Sequence, residues 1–362
     1  MLLWTSKEGL FFKSTPSRGE NPSPAQTSAK RVSSHPAVVP AIPSSEARVL
    51  AGSSLETYVD HLGEVWSGDH HFRGGTTVHY PNAIIDQTRD PEIFRSARQG
   101  TFFYDIPLKP GLYELHLYFS ENDFGPHKEL GGGEGSRKMY IMANGKPLLE
   151  NFDIYSDVGG LNIADVKIFK DVVPDTDGIL HLVFSGAPGL KASVSGIKII
   201  PGVKGKIHPL RMTVRDTVYT SKSNEIWTPD QFCLGGRHAD PSPNAVKGTD
   251  DSELYQEHRY GRFTYQLPVA QGSYTLRLKF AETFYGPTGP FSQGKGVRIF
   301  DVYCNGQVLL KNFDVFKEAG GQNIAIDKVF HKILPNAQGK IVLSFHPVKD
   351  YACLSALEVL NE

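Results

Sequence analysis

Cysteine is scarce: 362 residues hold three, Cys233, Cys304 and Cys353. Three thiols cannot staple a small domain, and their spacing matches neither a CxxC redox pair nor a zinc site. A charge excess is missing as well. Lys plus Arg (38) nearly balances Asp plus Glu (39), so no net field draws the chain to nucleic acid, an anionic membrane or an acidic partner. No nucleic-acid partner is expected, and partners must be argued from local sites. Long apolar runs are absent too. In residues 1–12, Thr5-Ser6-Lys7-Glu8 breaks the apolar stretch, leaving neither a signal-peptide core nor a membrane span. Direct membrane insertion is therefore not expected. Such a beginning suits a cytosolic start, a misassigned start codon, or the remnant after a membrane segment in a longer relative. No Asn-x-Ser/Thr acceptor with a permissive middle residue occurs. Histidines such as His70-His71 lack a second cluster at ligand spacing, so neither a metal nor a cofactor is expected.

What is present is a duplication. After a Ser/Pro-rich stretch, with prolines at 16, 22, 24, 36, 40 and 43, residues 1–47 read as a disordered tether. From Arg48 onward a shift of 161 superposes Trp66 on Trp227, Asp69 on Asp230, Gly74-Gly75 on Gly235-Gly236, Arg98 on Arg259 and Glu121 on Glu282. Near the C-terminus the shift drops to 160, where Ser195-Gly196 faces Ser355-Ala356. Two domains are expected, 48–203 and 204–362, each of ordinary single-domain size. All three cysteines lie in the second copy. Their counterparts are Phe72, Ala143 and Ser193, which points to small buried positions, with a Cys304–Cys353 bridge as the lesser alternative.

Within each copy the period is two. Tyr113, Leu115, Leu117 and Phe119 alternate along one strand, as do Tyr274, Leu276, Leu278 and Phe280. The organising stretch is Val297–Gly321. Arg298, Phe300, Val302 and Cys304 form one alternating set, Asn305-Gly306 supplies a type I′ turn, and Val308 to Phe313 returns apolar. The first copy repeats it with Asn144-Gly145 and with Asn151-Phe152-Asp153 for Asn312-Phe313-Asp314. Strand-length punctuation by Gly, Pro and Asn-Gly, without helical periodicity over ten residues, makes the fold all-β: two tandem β-sandwiches with long loops at one end. The Cys-Trp-Cys pattern of antibody domains is missing. Glu121 and Glu282 recur at a strand end and read as structural hydrogen-bond acceptors; Trp66 and Trp227 read as packing. The loop Glu129–Gly135 lacks the strand-to-helix setting of a phosphate-binding loop.

These blocks together resemble malectin domains: Trp227, Asp230 and Gly235-Gly236; Gly248-Thr249-Asp250-Asp251; Leu254-Tyr255-Gln256; Arg259-Tyr260-Gly261; Phe280-Ala281-Glu282; Phe300-Asp301-Val302-Tyr303; Asn312-Phe313-Asp314. The resemblance implies a jelly-roll-like (galactose-binding-like) β-sandwich, lectin-like, that binds glucose-containing oligosaccharides without catalysis. Bacterial relatives look like accessory or sensor modules, and the chain reads as a bacterial member. An extracytoplasmic or membrane-tethered location is what the resemblance implies. In the family, sugar is held by aromatic residues on loops and one aspartate. The motif matches place those roles on Tyr260, beside Arg259 and Gly261 in what reads as a loop, on Phe284 and Tyr285, and on Asp350. A further family tyrosine falls near His238. The first copy departs from the pattern: Gln99 stands for Tyr260, Asp123-Phe124 for Phe284-Tyr285, and no acid stands for Asp350. Tyr80, Asp123 and Phe124 remain as a weaker candidate site there, and a structural or protein-partner role is the leading expectation for that copy.

A pyranose offers apolar C–H faces for stacking and hydroxyls that need directional acceptors, so aromatics plus one carboxylate suffice. Two other classes compete. The chain is alternatively a protein-interaction or sensor module of a signalling protein. A glycoside hydrolase is the third reading, and it needs two carboxylates about 5–9.5 Å apart across a cleft; Glu282 and Asp350 are its candidates.

Overall fold

The alternation read from the sequence lines both cores. Leu115, Leu117 and Phe119 of the strand Tyr113–Phe119 are fully buried, as are Leu276, Leu278 and Phe280 of Tyr274–Ala281. The computed structural model describes residues 43–287 and 293–362. It shows two β-sandwiches, each made of two six-stranded sheets. The first sheet runs, neighbour by neighbour, Thr57–Val59, Val65–Ser67, Ala47–Leu50, Gly196–Pro201, Tyr113–Phe119, Asp165–Val172. Facing it are Ala192–Val194, Ser96–Pro107, Ile179–Gly186, Met139–Ala143 and Lys146–Phe152, with Phe72–His79 also paired to Ser96–Pro107.

The second sandwich repeats this topology strand for strand. One of its sheets contains Cys233–His238, Arg259–Pro268, Lys340–Lys349, Ile299–Cys304 and Gln307–Phe313, with Ala352–Leu354 against Arg259–Pro268. Expected tether residues 1–42 lie outside the described residues. Beyond them order begins earlier than expected: Ser44 bridges to Leu108, Lys109 N–H donates to the Ser44 carbonyl (2.9 Å), and the first strand starts at Ala47.

The Asn-Gly turns hold both residues at positive φ: 46° and 73° at Asn144-Gly145, 48° and 79° at Asn305-Gly306. Arg298, Phe300, Val302 and Cys304 are all buried. The return strand is not a core strand. Gln307–Phe313 lies at the sheet edge, Val308 is 52% exposed, and only Phe313 is buried. The all-β reading also leaves out the short helix after this strand, Val315–Ala319, which is repeated at Ile154–Val158. Asp314 caps it by accepting from Lys317 N–H (3.0 Å), Asp153 caps its counterpart, and Gly320 and Gly159 end them at positive φ. The Cys304–Cys353 bridge does not form; all three thiols are free. Burial raises Cys304 to about 11 and Cys353 to about 12, so neither is a thiolate near neutrality.

The two sandwiches make one compact unit and meet through buried charge. Lys340 of the second sandwich places Nζ 2.7 Å from Asp157 and 2.9 Å from Asp165 of the first, while Lys167 lies 2.6 Å from Asp157 and donates to the Gln338 carbonyl. Separately, buried Glu114 accepts from His116 and from both the backbone N–H and Nδ1 of His208 at the start of the second half (2.7 and 3.0 Å). Burial alone would raise Glu114, but the His116 and His208 hydrogen bonds bring it down to about 2. The same bond to Glu114 raises His208 above its ordinary value against the effect of burial.

These shifts make stability depend on pH. The lowered Glu114 contributes stability that is present above about pH 4.5 and lost as pH falls toward 2. The raised His208 contributes stability that is present below about pH 6.5 and lost as pH rises through its folded value. The melting-temperature gap between the native chain and His208→Gln is thus expected to be widest between about pH 4.5 and 6.5. It should shrink at higher pH; a gap unchanged from pH 5 to 9 contradicts the assignment.

Candidate functional site

A buried ion pair builds the end of the second sandwich. Arg298 Nε donates to Glu282 Oε2 (2.7 Å), and both side chains are almost wholly buried. Glu282 Oε1 accepts the backbone N–H groups of Phe284 and Tyr285 (both 3.0 Å), which fixes the loop that carries the two rings. Arg298 also donates to the Tyr351 carbonyl (3.1 Å), and its guanidinium lies over the Tyr285 ring at 5.3 Å. One guanidinium therefore holds two loops on either side of an opening. Glu282 is structural, as its recurrence in both copies implies.

The opening is a cleft of about 700 Å³. Tyr260, Phe284, Tyr285 and Asp350, the four residues singled out from the sequence, all line it, together with His238, His258, Arg298, Tyr351 and the Ala239–Asn244 loop. Phe284 and Tyr285 meet edge to face at 5.0 Å, and Tyr260 meets Tyr351 at 5.6 Å. Phe284 is 41% exposed and Tyr351 53%. Burial, then a hydrogen bond with Asp350, raises the Tyr285 hydroxyl above its ordinary value. Asp350 itself sits at φ 57°, a left-handed position between the strands Lys340–Lys349 and Ala352–Leu354. Burial and the Arg298 charge push His258 down to about 3, so this wall is a neutral imidazole near neutral pH. The far wall is tied down by backbone bonds from Ala239 to the His258 carbonyl and from Ser242 to the Gln256 carbonyl (both 2.9 Å).

Tyr260 is not on a loop. It lies on the strand Arg259–Pro268, paired to Arg237 on one side and Cys353 on the other. Gly261, φ 115°, has the look of loop punctuation in the sequence, whereas it marks a strand irregularity where the Gly236 Cα approaches. Tyr351 and His258 were missed. Tyr351 follows Asp350 directly and was open to the same argument; His258 carried no signal, since its burial depends on the fold.

His238, where the further family tyrosine falls, lines the cleft and is also tied into a charge cluster. Its Nε2 lies 2.6 Å from Arg259 and 3.3 Å from Asp230, within the charge cluster that anchors the strand.

The first copy keeps the frame and replaces the cleft residues with a hydrogen-bonded network. Arg137 pairs with Glu121 (2.6 Å), and Glu121 accepts from the Asp123 and Phe124 N–H groups (3.0 and 3.1 Å). Tyr80, Asp123 and Phe124 do come together, but they spend their polar groups on each other. The Tyr80 hydroxyl donates to Asp123 (2.7 Å), Gln99 donates to Asp123 (2.6 Å), Arg137 reaches Asp123 (2.6 Å), and Arg137 covers the Phe124 ring at 5.0 Å. Burial would raise Asp123, but the Tyr80 and Gln99 bonds and the Arg137 charge hold it below the usual carboxylate range.

The model of the malectin domain matches residues 47–203 and again residues 212–357. The chain belongs to the malectin-domain family. It carries two malectin domains in tandem. Mouse (Mus musculus) malectin is 42% identical over 74 residues, 20% of this chain and 23% of that protein. A probable LRR receptor-like serine/threonine-protein kinase of Arabidopsis thaliana is 38% identical over 94 residues, 25% of this chain and 9% of the kinase. The match thus spans less than a quarter of either relative. Among solved structures, the ANX2 ectodomain of Arabidopsis thaliana aligns with 87% of this chain and 96% of its own at 18% identity and a TM-score of 0.45.

Proposed function

We propose that this chain is a non-catalytic carbohydrate-binding protein whose second malectin domain holds a glucose-containing oligosaccharide. The observation that carries the reading is the gathering of Tyr260, Phe284, Tyr285, Tyr351 and Asp350 around one 700 Å³ cleft. That volume suits a short saccharide. The rings offer faces for the apolar C–H surfaces of a pyranose, and Asp350 offers carboxylate oxygens to its hydroxyls. The first domain, its polar groups satisfied internally, serves as structural support or as the surface for a protein partner. An extracytoplasmic or membrane-tethered setting accompanies this reading. No helix among the described residues is long and apolar enough to cross a membrane.

Hydrolysis is disfavoured on chemical grounds. Glu282 is 1% exposed, with one oxygen on Arg298 and the other on two backbone N–H groups, so it is held out of reach of a glycosidic oxygen or an attacking water in the cleft.

The test is a glycan array followed by calorimetry with maltose-type and nigerose-type sugars. Tyr285→Ala and Asp350→Ala are each expected to weaken binding roughly tenfold or more, the loss of a stacked ring or of a charged hydrogen bond. Binding that neither substitution weakens sinks the reading. Co-purification of a protein partner that survives loss of Tyr260, Phe284 and Tyr285, with indifference to sugar, supports the signalling-module alternative instead.

A further inference from the structure

Across the Tyr260–Tyr351 ridge from the main cleft lies a smaller cavity of about 230 Å³, lined by Gly236, Arg237, Tyr260, Gly261, Arg262 and Tyr351. The two tyrosines line both cavities, so their rings form a shared wall. The register explains the arrangement. Arg237 pairs directly with Tyr260 across neighbouring strands, and Arg262 stands two residues along Tyr260's own strand. Two glycines keep the floor open: a Cβ on Gly261 would stand 3.3 Å from the Gly236 Cα, and both residues hold positive φ.

The charge here is unusual for this chain. Every other arginine among the described residues lies within ion-pair distance of a carboxylate. Arg237 and Arg262 have no such partner among the described residues, and both are exposed. Their counterparts in the first copy are Thr76 and Thr101, and those of Tyr260 and Tyr351 are Gln99 and Lys191. Two cations and the ring wall thus occur together only in the copy with the open cleft. A guanidinium presents a fork of donors that matches a carboxylate or phosphate, and two unpaired forks beside a ring favour an anion over a neutral hydroxyl.

We propose that this cavity is an anion subsite of the saccharide cleft. The ligand is an oligosaccharide that crosses the Tyr260–Tyr351 ridge and sets an acidic substituent, a carboxylate or a phosphate ester, against Arg237 and Arg262. The inference rests on the carbohydrate reading of the main cleft and adds the chemical class of one ligand unit.

The experiment is calorimetry on the full chain at low salt with three probes of equal length. These are maltotriose, maltotriose whose terminal primary alcohol is oxidised to a carboxylate, and maltotriose carrying a terminal 6-phosphate. At least one acidic probe is expected to bind roughly tenfold tighter than the neutral one, a gain that falls with added salt. Which of the two gains more tells carboxylate from phosphate. In R237Q/R262Q the gain is expected to vanish while maltotriose affinity stays unchanged; R237K/R262K keeps part of it. Melting curves of both variants establish that these surface substitutions leave the fold intact. Neutral and acidic probes binding equally, or an acidic gain that survives R237Q/R262Q, overturns the subsite but not the cleft. Failure of all three probes to bind overturns both.

Discussion

Lys340→Met is expected to lower the stability of the chain by about 3–5 kcal/mol, the cost of breaking a buried ion pair by removing one partner. The Lys340 ammonium is almost wholly buried, 2.7 Å from Asp157 and 2.9 Å from Asp165, and the Asp165 side chain has no solvent exposure. With Lys167 the cluster holds two cations and two anions. Losing Lys340 leaves one anion uncompensated in a low-dielectric interface between the sandwiches. Burial alone would lower Lys340, yet Asp165 and Asp157 raise it above its ordinary value, which is the same coupling seen from the cation.

The duplication supplies the control. Where the copies do not meet in this way, the position equivalent to Asp165 is Ile326 and the one equivalent to Lys340 is Ile179. Each of the two positions, taken singly, thus holds an apolar residue in the other copy. Lys340→Met combined with Asp165→Leu should recover most of the lost stability, since the remaining Asp157–Lys167 pair is neutral. Differential scanning calorimetry reads both: a drop of about 10 °C for the single variant, largely restored in the double. A double variant no better than the single one contradicts the assignment.

Arg298→Leu is expected to have an effect of similar size on stability and a larger one on binding. It strands Glu282, which is 1% exposed, without its cation, again a cost of about 3–5 kcal/mol. It also cuts the bond to the Tyr351 carbonyl and removes the cation over the Tyr285 ring. Saccharide affinity in any folded fraction should fall below detection, because both loops of the cleft lose their shared anchor. Glu282→Gln keeps acceptor oxygen for the Phe284 and Tyr285 N–H groups and should cost less. Equal affinity in native protein and Arg298→Leu, measured on the folded fraction, contradicts the positioning role.

The fold was legible where the information was local. The Asn305-Gly306 turn and the alternation of Phe300, Val302 and Cys304 lie within a few residues and obey backbone rules that hold regardless of context. The short capped helices were missed because five residues leave no periodicity, although Asp314 ahead of Lys317 and the Gly320 stop were both visible as caps. The edge position of the return strand was not legible, because Val308, Leu309 and Leu310 are apolar while an edge depends on which strands pair.

At the site, residue identity was legible and placement was not. Phe284 and Tyr285 come after a strand end and precede Gly286-Pro287, so their loop position could be read directly. Tyr260 was misplaced onto a loop because a strand glycine and a loop glycine look alike in sequence. The Arg298–Glu282 frame spans 16 residues and the Lys340–Asp157 contact 183, and neither separation leaves a local signature. The contrast between copies was the most informative signal. Gln99 in place of Tyr260 and Asp123 in place of Phe284 turn stacking groups into hydrogen-bonding ones, and the network around Asp123 shows what that exchange does physically.

The most direct test of the central claim is a nuclear magnetic resonance titration of the full chain with a maltose-type oligosaccharide, aromatic and backbone signals assigned. The account predicts saturable shifts at Tyr260, Phe284, Tyr285, Asp350 and Tyr351, and none at Tyr80, Gln99, Asp123 or Phe124. Saturable shifts centred on the first copy, or shifts confined to neither cleft, contradict it.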